Sequence, residues 1–198
     1  MTNRIGATSG NPLRNNRTMS AVVASVTNGL PGREVLFIAL EDPGGPAIGH
    51  ASNVRCVGHQ ATARDVARFH QAADVYLHAT RADTFPTAVL EALACGTPVV
   101  ASHVGGLPEQ VISATTERVR AGEIGDASGV LVAAGDATSM AGAVIALLEQ
   151  PSVRERMGSN ASGDARRRFD EQRQVDDYLA WYREVCADWK ARREPRAS

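Results

Sequence analysis

The stretch Ala73-Asp-Val-Tyr-Leu-His-Ala-Thr-Arg-Ala-Asp-Thr-Phe-Pro-Thr-Ala-Val-Leu-Glu-Ala-Leu-Ala-Cys-Gly-Thr-Pro-Val-Val-Ala101 decides the fold. Val75-Tyr-Leu77 is a short apolar run of the kind that forms a buried strand. Pro86 to Cys95 reads as a helix, with proline in its first turn and Gly96 as its left-handed stop. Pro98-Val-Val-Ala101 is the next strand. Outward from this unit the alternation continues. Toward the N-terminus come a helix from Ala61 to Ala73, strands at Val54 to Val57 and Val35 to Leu40, and a helix from Ser20 to Leu30. Toward the C-terminus come a short helix opened by Gly105-Gly-Leu-Pro108, a polar loop over 115–128, a strand over 129–133 and an amphipathic helix from Ala137 to Gln150. A long helix starts at Glu171, with Val175, Tyr178, Leu179, Tyr182, Val185, Cys186 and Trp189 on one stripe. Strands of buried type alternating with helices predict an α/β fold, a doubly wound parallel sheet with a long C-terminal helix.

Residues 1–18 are expected to form a loose segment in which Arg4 to Thr8 is at most a weak edge strand; residues 19–190 form a single domain, and 191–198 a loose tail. With 198 residues the chain has room for one ordinary domain. Apolar residues make up 43% and charged residues 22%, enough for a real core. Twenty-one basic against twenty-two acidic residues give a net charge of −1, so no global pull toward nucleic acid is expected. No apolar run is long enough for a membrane span, and the N-terminus has no signal-peptide core, which makes a cytoplasmic protein the expectation. Cys56, Cys95 and Cys186 lack the spacing of a disulfide framework or a zinc site, and the five histidines show no paired spacing, so no metal is expected. The basic residues are twenty arginines and the single Lys190, so any anion is held by arginine or by backbone N–H groups.

In a doubly wound sheet, ligands sit beyond the carboxyl ends of the strands, which directs attention to the loops 78–86 and 102–108. The helix after the first of these is apolar almost all round, with Thr87 and Glu91 on one stripe. A carboxylate in a buried helix needs a partner. Glu91 either pairs with an arginine or faces a ligand and accepts hydrogen bonds from vicinal hydroxyls. The first N–H groups of the helix are a ready anion site, and Asp83 ahead of them is either a second ligand-facing acid or an N-terminal cap. Together these features describe a cradle for a nucleotide sugar. His78, at a strand end, is either a hydrogen-bonded structural residue or a ligand contact. His70 reads as core, and Arg81 as a loop arginine within reach of an anion. Gly105-Gly106 makes a tight turn or lets backbone approach a diphosphate, and Arg166-Arg-Arg168 reads as a solvated face.

The stretch from Ala73 through Val-Gly-Gly-Leu-Pro-Glu109, with Gly129-Val-Leu-Val-Ala-Ala-Gly-Asp136 and Arg168-Phe-Asp170, resembles the group 1 glycosyltransferases, retaining enzymes of the GT-B fold. The resemblance covers roughly residues 10–190 and only the C-terminal, Rossmann-like, donor-binding half. It implies that the donor substrate is a nucleotide-diphospho-sugar, with no separate cofactor. Glu91 would hold its ribose hydroxyls, and Asp83, the catalytic candidate, would touch the donor sugar and diphosphate together with the amides of Thr84 and Phe85. Pro86 has no N–H to give, so the donors would be its neighbours, Thr87 among them. The family pattern has an acidic residue, seven residues, then glutamate, and here the first acid is aspartate. The usual arginine-and-lysine diphosphate clamp lacks its lysine, leaving Arg14 and Arg17 as replacements or as plain loop arginines. Acceptor contacts would come from a separate domain or chain. Two other functions stay open: a non-catalytic binding module or split-gene remnant, and a sugar-nucleotide epimerase.

Overall fold

A computed structural model describes residues 2–8, 12–40, 52–58 and 60–193. In chain order the elements are β1 (Asn3–Thr8), α1 (Pro12–Gly29), β2 (Val35–Leu40), β3 (Val54–Val57), α2 (Ala63–Ala72), β4 (Val75–His78), α3 (Thr87–Ala94), β5 (Val99–Ser102), α4 (Leu107–Gln110), α5 (Thr116–Ala121), β6 (Gly129–Val132), α6 (Ala137–Glu149), α7 (Pro151–Arg168) and α8 (Glu171–Arg193). The six strands are all parallel and run in the order β3-β2-β1-β4-β5-β6. The Asp42-Pro-Gly-Gly-Pro46 loop expected between β2 and β3 lies outside the described residues. Among the described residues, no helix is long and apolar enough to cross a membrane.

Strand residues alternate between two cores, one on each face of the sheet. Val75, Leu77, Val100, Val130 and Val132 join Ile5 and Phe37 against α1 and α6. Tyr76, Val99 and Ala101 face the other way, with Val89 and Leu93 of α3 and Ala161 and Ala165 of α7. Helices on both faces are the doubly wound arrangement expected from the alternation of elements.

Three departures have physical causes. Residues 3–8, expected as at most a weak edge strand in a loose segment, form the strand between β2 and β4. Polar Arg4 and Thr8 and the central Gly6 dilute the apolar signal, but Gly6 suits the tight cover over this strand. A Cβ there would lie 3.2 Å from Phe69 Cε1 and from Ala73 Cβ of the covering segment. The polar loop over 115–128 contains α5, which starts at Thr115, whose hydroxyl accepts from the Arg118 N–H at 3.3 Å, and stops at left-handed Gly122. Helix α7 has no strong apolar stripe and lay outside the expected elements. It packs through small residues instead: Gly158 sits so close to Gly96 that a Cβ would come within 2.3 Å of the Gly96 carbonyl oxygen. The long C-terminal helix forms as expected, but Val175, Tyr178, Leu179, Trp181, Tyr182, Val185 and Trp189 are all exposed. Of the loose tail expected over 191–198, residues 191–193 belong to α8, and the rest lies outside the described residues.

Candidate functional site

Strands β1 and β4 are neighbours, yet the chain winds away from them in opposite directions, β1 toward β2 and β4 toward β5. At such a reversal, the loops leaving the carboxyl ends of the two strands part and open a crevice for ligands. The loop 79–86 leaves β4 at this place, next to the loop 103–106 that leaves β5. A shallow cleft of about 460 Å3 is lined there by Arg81, Ala82, Asp83, Thr84, Val104 and Gly105.

The two loops are built against each other. The Gly106 N–H donates to the Thr84 carbonyl oxygen at 2.8 Å. Gly105 has φ +52°, and a Cβ on it would fall 1.6 Å from the Asp83 carbonyl oxygen. A Cβ on Gly106 would meet the Thr84 oxygen at 2.2 Å. Only glycine permits this approach, so the pair serves the backbone of the Asp83 loop directly. Behind it, the buried Ser102 hydroxyl accepts from the Thr80 N–H at 3.2 Å, and the Thr80 hydroxyl donates to the Ala82 carbonyl at 3.0 Å.

Helix α3 begins at Thr87 with Pro86 as N-cap, and no side chain caps it. Asp83 is therefore not the cap; its partner is His78, whose Nε2 lies 3.3 Å from Asp83 Oδ2. His78 is buried, which pushes its pKa down, while the Asp83 hydrogen bond and charge push it up; burial prevails. Thr84, Phe85 and Thr87 are all exposed beside this end of the helix.

Glu91 corrects its own premise. The stripe Thr87, Glu91, Ala94 opens to solvent, and the Glu91 side chain is 52% exposed, so burial does not oblige it to find a partner. No arginine among the described residues pairs with it. Among the described residues its charged neighbour is His70 Nε2, at 3.8 Å, beyond hydrogen-bond range. His70 is core, as expected, and burial lowers its pKa to about 4, so it is neutral near pH 7 and leaves the carboxylate open. The His70, Tyr76 and His78 rings form a column, with His70 edge-on to Tyr76 at 5.0 Å and Tyr76 stacked on His78 at 6.2 Å. Asp83 and Glu91 stand at its two ends.

Arg14 and Arg17 belong to α1, which follows β1 at the crevice, and not to a loop. Arg17 is exposed, and the Arg14 side chain lies outside the described residues. Arg81 is exposed on the cleft wall. The run Arg166-Arg-Arg168 is not uniformly solvated. Arg168 binds the buried Asp164 through Nε at 2.9 and 2.8 Å and through Nη2, and donates to the carbonyls of Glu109 at 2.7 Å and Gln110 at 3.0 Å. Burial disfavours the charged form of Asp164, but the bonds and charges of Arg168 and Arg167 outweigh it and hold the carboxyl below its usual range. Arg168 thus ties the last turn of α4 to α7. The buried Gln110 side chain in turn donates to the Pro86 carbonyl at 3.2 Å. Phe169 meets Phe85 edge-on at 6.0 Å with the Arg168 guanidinium over its own ring at 4.6 Å. Gln110 and Arg168 are supports that sequence reading missed; the Gly-Gly turn before α4 was their one local signal.

The profile of the family described as "Glycosyl transferases group 1" matches residues 47–164, more than half of the chain. A D-inositol 3-phosphate glycosyltransferase of Saccharomonospora viridis is 35% identical over 127 residues, covering 64% of this chain and 26% of that protein. The Anabaena protein HepE, solved in complex with UDP-glucose, shares the fold with a TM-score of 0.70 at 22% identity, covering 89% of this chain and 48% of that one. The C-terminal domain of a group 1 glycosyl transferase (LpcC) from Francisella tularensis aligns with a TM-score of 0.61 at 17% identity, covering 83% of this chain and 84% of that domain. The chain thus spans about a quarter of the curated relative and about half of the Anabaena chain. Its sheet order, its acid-x7-Glu helix and the profile match agree: the chain belongs to the group 1 glycosyl transferases.

Proposed function

We propose that this chain is the donor-binding half of a retaining glycosyltransferase and holds a nucleotide-diphospho-sugar in the crevice between β1 and β4. The observation that carries the reading is the open Glu91 carboxylate, on the same short helix whose uncapped first turn follows Asp83. A carboxylate has two acceptor oxygens and suits the vicinal hydroxyls of a ribose. The N–H groups of Thr84, Phe85 and Thr87 and the positive end of α3 suit a diphosphate. The helix after β1 carries Arg14 and Arg17 in its sequence, and in this reading the leaving diphosphate is stabilised by amides and guanidinium groups, with no separate cofactor. Asp83 touches the sugar. In transfer, the bond from the anomeric carbon to the diphosphate oxygen breaks, a bond to the acceptor oxygen forms on the same face, and the acceptor hydroxyl proton leaves with the diphosphate. The protein's part is placement and electrostatic stabilisation of the leaving group. The name of the S. viridis relative supports glycosyl transfer and the UDP-glucose held by the Anabaena structure supports a nucleotide sugar, and the wide spacing of the three cysteines suits a reducing, cytoplasmic setting.

The acceptor is held by a second half, in a neighbouring domain or another chain. The exposed apolar stripe of α8 supports this part of the reading, as does the 450 Å3 cleft that Phe85 and Leu90 share with Tyr178 and Trp181. Calorimetry with UDP-glucose and GDP-glucose tests the donor site. One of them binds the wild-type chain, and Glu91→Ala weakens that binding by about tenfold or more. Absence of binding to either, or binding unchanged in Glu91→Ala, overturns the proposal.

A further inference from the structure

His78 is a buried group to which the reading above gives no task. It closes β4 on the same face as Tyr76, and its ring plane is fixed by stacking on that tyrosine at 6.2 Å with 26° between planes. One ring nitrogen, Nε2, lies 3.3 Å from Asp83 Oδ2. The other, Nδ1, is buried with no hydrogen-bond partner among the described residues. An ionised carboxylate only accepts, so the ring proton belongs on Nε2 and points at Asp83. The distance is at the long end of the N–H···O range, as is common in sites before a ligand tightens them.

A leucine would fill the same space without leaving an orphaned nitrogen in the core. Here the imidazole makes one side-chain bond, to an acid five residues along. Asp83 has no competing task, since it does not cap α3. Its side chain remains 29% exposed, held at one oxygen while still reaching the cleft.

We propose that His78 is a positioning residue: through its Nε2–H it fixes the Asp83 carboxylate in the orientation that meets the donor sugar. The inference rests on the proposed function, specifically on Asp83 touching the sugar and not the nucleotide.

The test measures binding of UDP-glucose and of UDP to the full chain in three variants, Asp83→Asn, His78→Leu and His78→Gln. Asp83→Asn weakens UDP-glucose by about tenfold and leaves UDP nearly unchanged; if it does not, the reading of Asp83 fails, and the role of His78 toward the sugar falls with it. With that effect established, His78→Leu lowers UDP-glucose affinity about as much as Asp83→Asn, again sparing UDP. His78→Gln, whose side-chain amide reaches about as far as Nε2, restores most of the loss. A folded His78→Leu that binds UDP-glucose like the wild type overturns the inference and leaves the donor site standing. Because His78→Leu can also fail to fold, nitrogen-15 NMR of the wild-type imidazole gives an independent reading. The inference requires the proton on Nε2 and a shift of that signal in Asp83→Asn; a proton on Nδ1, or a signal indifferent to Asp83→Asn, overturns it.

Discussion

Helices α7 and α8 follow one another in the chain and reverse what their compositions suggest. Helix α8 carries two tryptophans, two tyrosines, two valines and a leucine, and every one of its described side chains is exposed. Helix α7 carries glycines, serines and five arginines, and it is the one built into the core, through Val153, Met157, Gly158, Ala161 and Ala165. Burial here follows fit. Small residues let α7 lie against the backbone at Gly96, and one arginine joins it to α4. The amphipathic stripe of α8 records a need for cover that the described residues of this chain do not meet.

If that contrast is right, α7 is fragile and α8 is tolerant. Arg168→Ala gives the largest loss, about 3 kcal/mol in urea unfolding, because it removes three of the bonds to buried Asp164, leaving Arg167 as its partner, and frees two carbonyls of α4. Gly158→Ala is next, at about 2–3 kcal/mol by the same measurement, since its methyl carbon would meet the Gly96 oxygen at 2.3 Å and backbone must move. A smaller effect depends on pH. The Asp164 carboxyl is held below its usual range in the folded state, so its contribution is complete above the ordinary aspartate pKa near 4 and is lost as pH falls from there. An acid-unfolding series shows this loss in the wild type and a flatter profile in Asp164→Asn. Smallest is the effect on α8: Leu179→Ser and Val185→Ser change the stability of the isolated chain by no more than about 0.5 kcal/mol. A loss of several kcal/mol there breaks the comparison, because α8 would then be packing on this chain's own body in solution.

The same contrast explains what could be read in advance. Strands β2, β4, β5 and β6 are short apolar runs, their signal is local, and they appear where the sequence places them. Gly96 stops α3 in the left-handed conformation foreseen for it. β1 was underread because its place in the sheet depends on pairing with two distant strands and on the space that Gly6 leaves for Phe69. In the site, the Asp83 and Glu91 spacing was legible, since both lie within one turn-and-helix unit. Its reasons were not: Glu91 looked buried because its helix is rich in alanine and leucine, yet its stripe faces outward. The partnership of Asp83 with His78, and the hold of Arg168 on α4, join elements by geometry that no spacing rule encodes.

The pair Gly105-Gly106 has one more consequence. With the backbone of one loop pressed into that of the other, neither can change shape alone. Any attempt to rebuild residues 82–85 must redesign the glycine turn as well, or accept both as a fixed plate and place new side chains only along the rim.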